Sequence, residues 1–151
     1  MLLGYDSIFK KRTELKDFRN EGVAIAYKSD LFQLFKTVNI EFNNAVGDND
    51  RGSVFRARSI TDDVGLLLFL QPYKKNATIN SAICVACAML SDNDVDSDIR
   101  MAQCQYLTQQ IEISNRDFQA PVVIGMSMND SPSSQAYNLM RTGRIPLLAQ
   151  G

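Results

Sequence analysis

The chain has 151 residues, with 16 lysines and arginines against 17 aspartates and glutamates and a net charge of −1. This length suits one domain with its own core, and the near-neutral charge excludes a global field that would attract nucleic acid or anionic membrane. No apolar run approaches the roughly 20 residues that cross a bilayer, and the first residues lack the apolar segment of a signal peptide. We therefore expect a cytoplasmic or nuclear protein that does not associate with membranes.

Apolar runs predict the strands in chain order. Residues 1–21 are polar and mixed in charge, and the first predicted strand follows them. The predicted strands are 22–27, 31–42, 64–70, 82–90 and the run that begins at 122. The second of these is expected to be broken near Lys36. Residues 43–51 have the Asn, Asp and Gly content of a loop.

Two helices are predicted in the second half of the chain. The first begins at Ser97, its expected N-cap, and its apolar stripe extends to Ile111. The second extends from Ser134 to Thr142 and ends at Gly143. Two helices are too few to cover both faces of a doubly wound sheet. The elements therefore predict a single domain, 1–151, of the α/β (α+β) class, with a mixed sheet packed on a second sheet and the helices outside.

The stretch 121–137 is the candidate site of chemistry. Pro121 can start a strand, the apolar run at 122–124 predicts a strand buried on both faces, and a polar turn precedes a helix capped by Ser133 or Ser134. The polar end of such a strand is where reacting groups are usually placed.

The composition limits that chemistry. The sequence contains no histidine, which excludes Ser-His-Asp and Cys-His catalysis and leaves carboxylates, lysine or a metal. Cys84 and Cys87 form a C-x-x-C pair, but residues three apart on a strand face opposite ways, so no zinc site is predicted. The acidic run that begins at Asp92 resembles a calcium loop, but Ser97 stands at the glycine position and Gln103 at the glutamate position.

Several motifs occur in an order that resembles one family. They are GY at 4–5, FKKRT at 9–13, EGVAIAYK at 21–28, IEFN at 40–43, DDVGL at 62–66, SDIRMAQ at 97–103 and PVVIGMSMNDSP at 121–132. From residue 4 to residue 145 the chain resembles the endonuclease/exonuclease/phosphatase superfamily, in the branch of the carbon-catabolite-repressor deadenylases, nocturnin and the Angel proteins. The resemblance implies a layered sandwich that binds Mg²⁺ at its strand ends and cleaves phosphodiester bonds of RNA.

The resemblance also shows where this chain departs from the family. The family's reacting positions fall on Glu21, Asp63, Cys87, Met89, Ser127 and Asn129. Ser127 replaces the catalytic aspartate, and Cys87 and Met89 replace an asparagine and a histidine. Two further family residues, a metal-binding glutamate and a terminal histidine, have no counterpart. The resemblance therefore predicts an inactive relative with no catalytic residues, no bound metal and no cofactor.

Three functions follow as hypotheses. The first is a shortened, inactive relative that covers an exposed sheet edge by binding a partner protein or a second copy of itself. The second is a Mg²⁺-dependent RNA 3′ exonuclease, or deadenylase, that uses Glu21, Asp63 and Asn129. The third is a non-catalytic RNA-binding module that uses a basic segment, which consists of Lys10, Lys11, Arg12, Lys16 and Arg19.

Overall fold

Six strands and three α-helices are present in the computed structural model, which describes residues 3–15, 20–46, 54–73 and 81–143. In chain order the elements are β1 Tyr5–Lys11, β2 Gly22–Lys28, β3 Phe32–Glu41, α1 Val54–Ser59, β4 Val64–Pro72, β5 Ile83–Met89, α2 Ser97–Asn115, β6 Val122–Ser127 and α3 Gln135–Thr142. No helix among these residues is long and apolar enough to span a membrane.

The strands form two sheets. β1 and β2 make an antiparallel hairpin, and β3, β4, β5 and β6 make a four-stranded sheet in that order. β3, β4 and β5 are antiparallel neighbours, whereas β6 is parallel to β5. A parallel neighbour requires a crossover connection, which α2 provides. The larger sheet is therefore mixed, as the sequence predicts.

The core lies on both faces of the larger sheet. On one face, Leu67 and Phe69 of β4 pack in a cluster with Leu107 of α2 and Ala136 of α3. On the other face, Leu66 and its neighbours pack in a second cluster with Val23 and Ile25 of the hairpin. Each fully buried leucine contributes roughly 1.5–3 kcal/mol. The predicted fold class, two packed sheets with helices outside, is confirmed.

Most predicted elements are confirmed, and three details are wrong. The break in the second predicted strand is present as a register shift between Leu34 and Lys36. The strand β1 and the short helix α1 were not predicted. In β1 the apolar Phe9 is exposed whereas Lys10 and Lys11 are partly buried, so the sequence shows no apolar alternation there. The N-cap of α2 is Asp96 rather than Ser97, and the Asp96 side chain makes no capping hydrogen bond. Ser134 does cap α3, and Gly143 ends that helix with a φ of 66°.

The prediction that β6 is buried on both faces is also wrong. Val122, Val123 and Ile124 are 38%, 53% and 37% exposed. Two facts of the topology explain this exposure. In the described part of the chain β6 is the last strand of its sheet, and the hairpin packs against β4 and β5. An apolar run predicts a strand, but strand order decides its burial.

Candidate functional site at the strand ends

The topology gathers the candidate residues at one end of the molecule. Lys11 at the end of β1 pairs with Gly22 at the start of β2, and Met89 at the end of β5 pairs with Ser127 at the end of β6. Glu41 at the end of β3 pairs with the first residue of β4. We call this region the strand-end site. It contains all six positions that the resemblance assigns to chemistry.

An open groove of about 330 Å³ lies in the strand-end site, between the start of β2 and the ends of β5 and β6. It is lined by Gly22, Val23, Ala24, Cys87, Ala88, Met89, Gly125, Met126 and Ser127. None of these side chains carries a charge at neutral pH, and most are apolar. We call this feature the strand-end groove.

Cys87 and Met89 are half-buried and pack against the cluster of Val23 and Ile25. Burial raises the pKa of the Cys87 thiol, which a hydrogen bond with the Ala24 backbone opposes. A raised pKa keeps the thiol protonated at neutral pH, and the thiol is a poor nucleophile in that state. These two side chains therefore extend the apolar core into the strand-end groove.

Ser127 and Asn129 are bonded to each other and to the backbone. The Ser127 hydroxyl donates to Asn129 Oδ1 at 3.0 Å, and Asn129 Nδ2 donates to the carbonyl of Leu90 at 2.8 Å. Asn129 adopts a φ of 49°, in the left-handed region that asparagine tolerates better than most residues. Asn129 thus joins the loop after β6 to the end of β5.

Asp63 takes part in a buried polar network instead of lining the groove. It is 1% exposed, and its carboxylate lies 3.1 Å from Arg12 Nη2 and accepts a hydrogen bond from Gln103 Nε2 at 3.0 Å. Burial raises the pKa of Asp63, while hydrogen bonds from Thr61 and Gln103 and the charge of Arg12 act against that rise. Asp63 Oδ2 is thus hydrogen-bonded to Gln103, whereas the buried Oδ1 faces Arg12 in the ion pair without a hydrogen bond.

Asn43 and Asp62 extend this network to the end of β3. Asn43 Oδ1 accepts from the backbone N–H groups of Thr61 and Asp62 at 3.1 and 3.0 Å, and Asn43 Nδ2 donates to Asp62 Oδ1 at 2.9 Å. Asp62 is fully buried and has a φ of 61°. We call the set of Arg12, Asn43, Asp62, Asp63 and Gln103 the buried polar network.

Sequence reasoning missed this network. Arg12, Asp63 and Gln103 belong to three different motifs. The structure brings them together from the residue after β1, the residue before β4 and the helix α2. One signal could have indicated the network, namely the charged Asp63 directly before the apolar run at 64–70. A charged residue next to a buried strand requires a partner.

Two lysines of the basic segment form ion pairs with acidic side chains of this chain. Lys10 pairs with Glu41 at 2.6 Å and Lys11 with Glu14 at 2.5 Å. Arg12 is 5% exposed, so the structure gives this RNA-contact candidate an internal role. Lys16 and Arg19 lie outside the described residues.

Glu21 lies beside Arg12, directly before β2. Arg12 N donates to the Glu21 carbonyl at 3.0 Å, and the two side chains approach to 4.0 Å. The Glu21 side chain is half exposed. Glu21 therefore marks the connection between β1 and β2 and does not line the strand-end groove.

The acidic run before α2 is a set of ion pairs. Asp96 accepts from Ser91 Oγ at 2.9 Å and from Arg58 Nη2 at 3.0 Å, and Asp98 accepts from Arg58 at 2.8 Å. Hydrogen bonds from Arg58 lower the pKa of Asp98. In residues 3–15, 20–46, 54–73 and 81–143, no three cysteine, aspartate or glutamate side chains converge as a metal site would require. The described residues at the strand ends therefore do not fit Mg²⁺.

The structure is similar to solved members of one superfamily. ANGEL2, a 2′,3′-cyclic phosphatase solved in complex with adenosine-2′,3′-vanadate, matches with a TM-score of 0.74 and 29% identity over 93% of this chain and 37% of its own. The catalytic domain of human nocturnin with bound sulfate matches with a TM-score of 0.71 and 18% identity over 93% of this chain and 48% of its own. An endonuclease/exonuclease/phosphatase family protein of Bacteroides thetaiotaomicron matches with a TM-score of 0.68 and 14% identity, over 94% of this chain and 48% of its own.

The likeness is carried by structure more than by sequence. No protein-family model matches the sequence, and no curated protein is similar to it by sequence. The chain spans less than half the length of the three solved structures. The resemblance that the motifs predict is confirmed.

Proposed function

We propose that this chain, whose structure is similar to ANGEL2 and to other solved members of the endonuclease/exonuclease/phosphatase superfamily, is a non-catalytic relative that acts as a protein-interaction or regulatory module. The observation that supports this proposal is the uncharged lining of the strand-end groove. The groove stands where the resemblance places reacting groups.

The chemistry of the strand ends argues against catalysis by the described residues. Mg²⁺ requires hard oxygen ligands, and hydrolysis requires a group that activates water. Near the groove, the carboxylates of Asp63, Glu41 and Asp130 are paired with Arg12, Lys10 and Arg100. A metal bound by any of these three carboxylates would have to displace the cation that is paired with it.

The same groove supports an interaction role. It is open and mostly apolar, and it adjoins the exposed apolar residues of β6. Apolar pockets of this kind bury the anchoring side chains of protein partners. We therefore place the partner-binding surface on the groove and the adjoining face of β6.

A second candidate function is metal-dependent hydrolysis at the end of an RNA. The likeness to ANGEL2, a 2′,3′-cyclic phosphatase, favours it, as does the retained Asn129. This function would require a metal near the carboxylate of Asp63 and the amide of Asn129, and the metal would have to displace their present partners.

A metal titration with defined substrates separates the two functions. The full chain is incubated with Mg²⁺ and two oligo(A) substrates, one with a free 3′ hydroxyl and one with a 2′,3′-cyclic phosphate. We expect neither shortening of the first nor ring opening of the second. Metal-dependent product from wild type that is lost in Asn129→Ala would overturn the non-catalytic proposal. Equal product from both proteins would indicate a contaminating nuclease. The assay is then repeated with repurified wild-type protein, and the presence or absence of metal-dependent product decides between the two functions.

A further inference from the structure

In the part of the chain that the structure describes, no strand pairs with the outer edge of β6. The carbonyls of Pro121 and Ser127 accept from Cys84 N and Leu90 N at 2.9 and 3.1 Å, so these two carbonyls point toward β5. Backbone groups alternate in direction along a strand. The N–H and C=O groups of the even-numbered residues Val122, Ile124 and Met126 therefore point away from the sheet.

This edge lacks the usual protection against strand pairing. Natural proteins protect edge strands with charges, bulges or proline. At the opposite edge, β3 has Lys36, Glu41 and a register shift. In contrast, residues 121–129 carry no charge, and β6 pairs with β5 without a register shift. Among residues 121–129, Pro121 at the start of β6 is the one residue of a type that protects edge strands.

We propose that β6 pairs with β6 of a second copy of this chain, antiparallel and with Ile124 opposite Ile124. In this register the outward backbone groups match across the twofold axis. Ile124 forms a hydrogen-bonded pair with its equivalent, and each Val122 forms one with Met126 of the other copy. The two four-stranded sheets become one sheet of eight strands.

The side chains of β6 are self-complementary in this register. Val123 of each copy lies opposite Gly125 of the other, at the non-hydrogen-bonded pairs where side chains approach most closely. Val123 is 53% exposed, and a Cβ built on Gly125 would have no atom within 4 Å. The exposed valine of each copy thus fills the space above the glycine of the other copy, and the twofold axis gives two such contacts.

The pairing would place the second copy beside the strand-end groove. Gly125 and Ser127 line the groove and share a face with Val123, because side chains alternate along a strand. The second copy therefore covers one side of the groove as it buries Val123. The inference rests on the proposed interaction role and names the partner as a second copy.

Sedimentation equilibrium of the full chain over the micromolar range tests the dimer. Two paired strands of six residues bury less surface than a standard interface, which buries at least about 1,200 Å². We therefore expect micromolar or weaker affinity. Amide exchange provides a second measurement on wild type. The amides of Ile124 and its even-numbered neighbours are expected to gain protection as the protein concentration rises. A monomer with unprotected β6 amides at all concentrations would overturn the inference, whatever the metal titration shows.

A pair of charge variants tests the register. Val123→Lys places a charge in the pair and is expected to weaken the dimer about tenfold or more. Val123→Lys/Gly125→Glu places opposite charges across both pairs and is expected to recover most of the loss, whereas Val123→Lys/Gly125→Lys is expected to dissociate further. Both positions are exposed, so circular dichroism should show the same fold in every variant. A dimer that Val123→Lys does not weaken, or that Gly125→Glu does not rescue, would overturn the proposed pairing.

Discussion

The buried polar network and the strand-end groove lie at the same end of the molecule and have opposite chemistry. In the network, Arg12, Asp63 and Gln103 are almost fully buried, and Asp63 contacts both of the other two. In the groove, Cys87 and Met89 are half-buried, and uncharged side chains form the lining. Both regions are built from the motifs that carry the family resemblance. The comparison shows that the polar motif residues described here mainly hold β1, β3, β4 and α2 together.

A physical reason explains why the two regions differ. Removing one partner of a buried ion pair leaves an uncompensated charge, which typically destabilises a protein by about 3–5 kcal/mol. A groove residue next to solvent is subject to a much weaker constraint. Residues such as Arg12 and Asp63 can therefore change only together, whereas Ser127 and Met89 can differ from the family without loss of the fold.

The largest expected effect comes from breaking the network. Asp63→Ala leaves Arg12 buried without its closest carboxylate, so we expect the free energy of unfolding to fall by about 3–5 kcal/mol in urea denaturation. Glu21→Ala is the matched control, because the Glu21 side chain is half exposed and 4.0 Å from Arg12. Its expected effect is within about 0.5 kcal/mol. Equal losses in the two variants would show that Asp63 is not the main partner of Arg12.

A double variant sharpens this result. Arg12→Met/Asp63→Leu replaces the ion pair by apolar side chains of similar size and should recover most of the stability lost in Asp63→Ala. A double variant as unstable as Asp63→Ala would show that the hydrogen bonds of the network, rather than its charges, hold the elements together.

The sequence predicted the local elements and not the contacts between them. β4 could be predicted because residues 64–70 form a continuous apolar run, which the structure buries on both faces. α3 could be predicted because Ser134 and Gly143 mark its ends. The exposure of β6 depends on strand order, and the ion pair of Arg12 with Asp63 joins β1 to β4. Both are non-local, and neither periodicity nor capping signals report them. The chemical character of the candidate site came from the resemblance, residue by residue.

Two glycines that line the groove should respond in opposite ways. A Cβ on Gly22 would overlap the backbone carbonyl of Lys10, whereas one on Gly125 would meet nothing within 4 Å. We expect Gly22→Ala to lower the free energy of unfolding by about 1–3 kcal/mol. Gly125→Ala should be neutral or stabilising by up to about 1 kcal/mol, since glycine weakens a strand. Thermal denaturation at low protein concentration, where the monomer dominates, measures both. Similar values would mean that the β1–β2 pair separates freely at Gly22.

Asn129 is expected to be structurally more important than its neighbour Ser127. Asn129→Ala removes the hydrogen bond to the Leu90 carbonyl and places alanine at a φ of 49°, so we expect a loss of about 1–2 kcal/mol. Ser127→Ala should cost less than about 0.5 kcal/mol, because its hydroxyl is exposed. Asn129→Gly restores the backbone freedom without the hydrogen bond and separates the two contributions. Urea denaturation in which Ser127→Ala loses more than Asn129→Ala would contradict this assignment.

The smallest effect distinguishes the thiols of the core from the thiol of the groove. Burial raises the pKa of Cys84 and of Cys104 to about 11, with Lys36 opposing the rise at Cys84 and Asp130 adding to it at Cys104. Because the folded state favours the neutral thiols, their contribution to stability is complete below about pH 9 and is lost as the pH rises toward 11. Cys87 is half-buried in the groove and should react first with a thiol reagent at pH 8. Cys87→Ser should remove this fast phase and leave two slow thiols that react only as the protein unfolds. Equal reaction rates for all three thiols would show that Cys87 in the groove is no more accessible than the cysteines of the core.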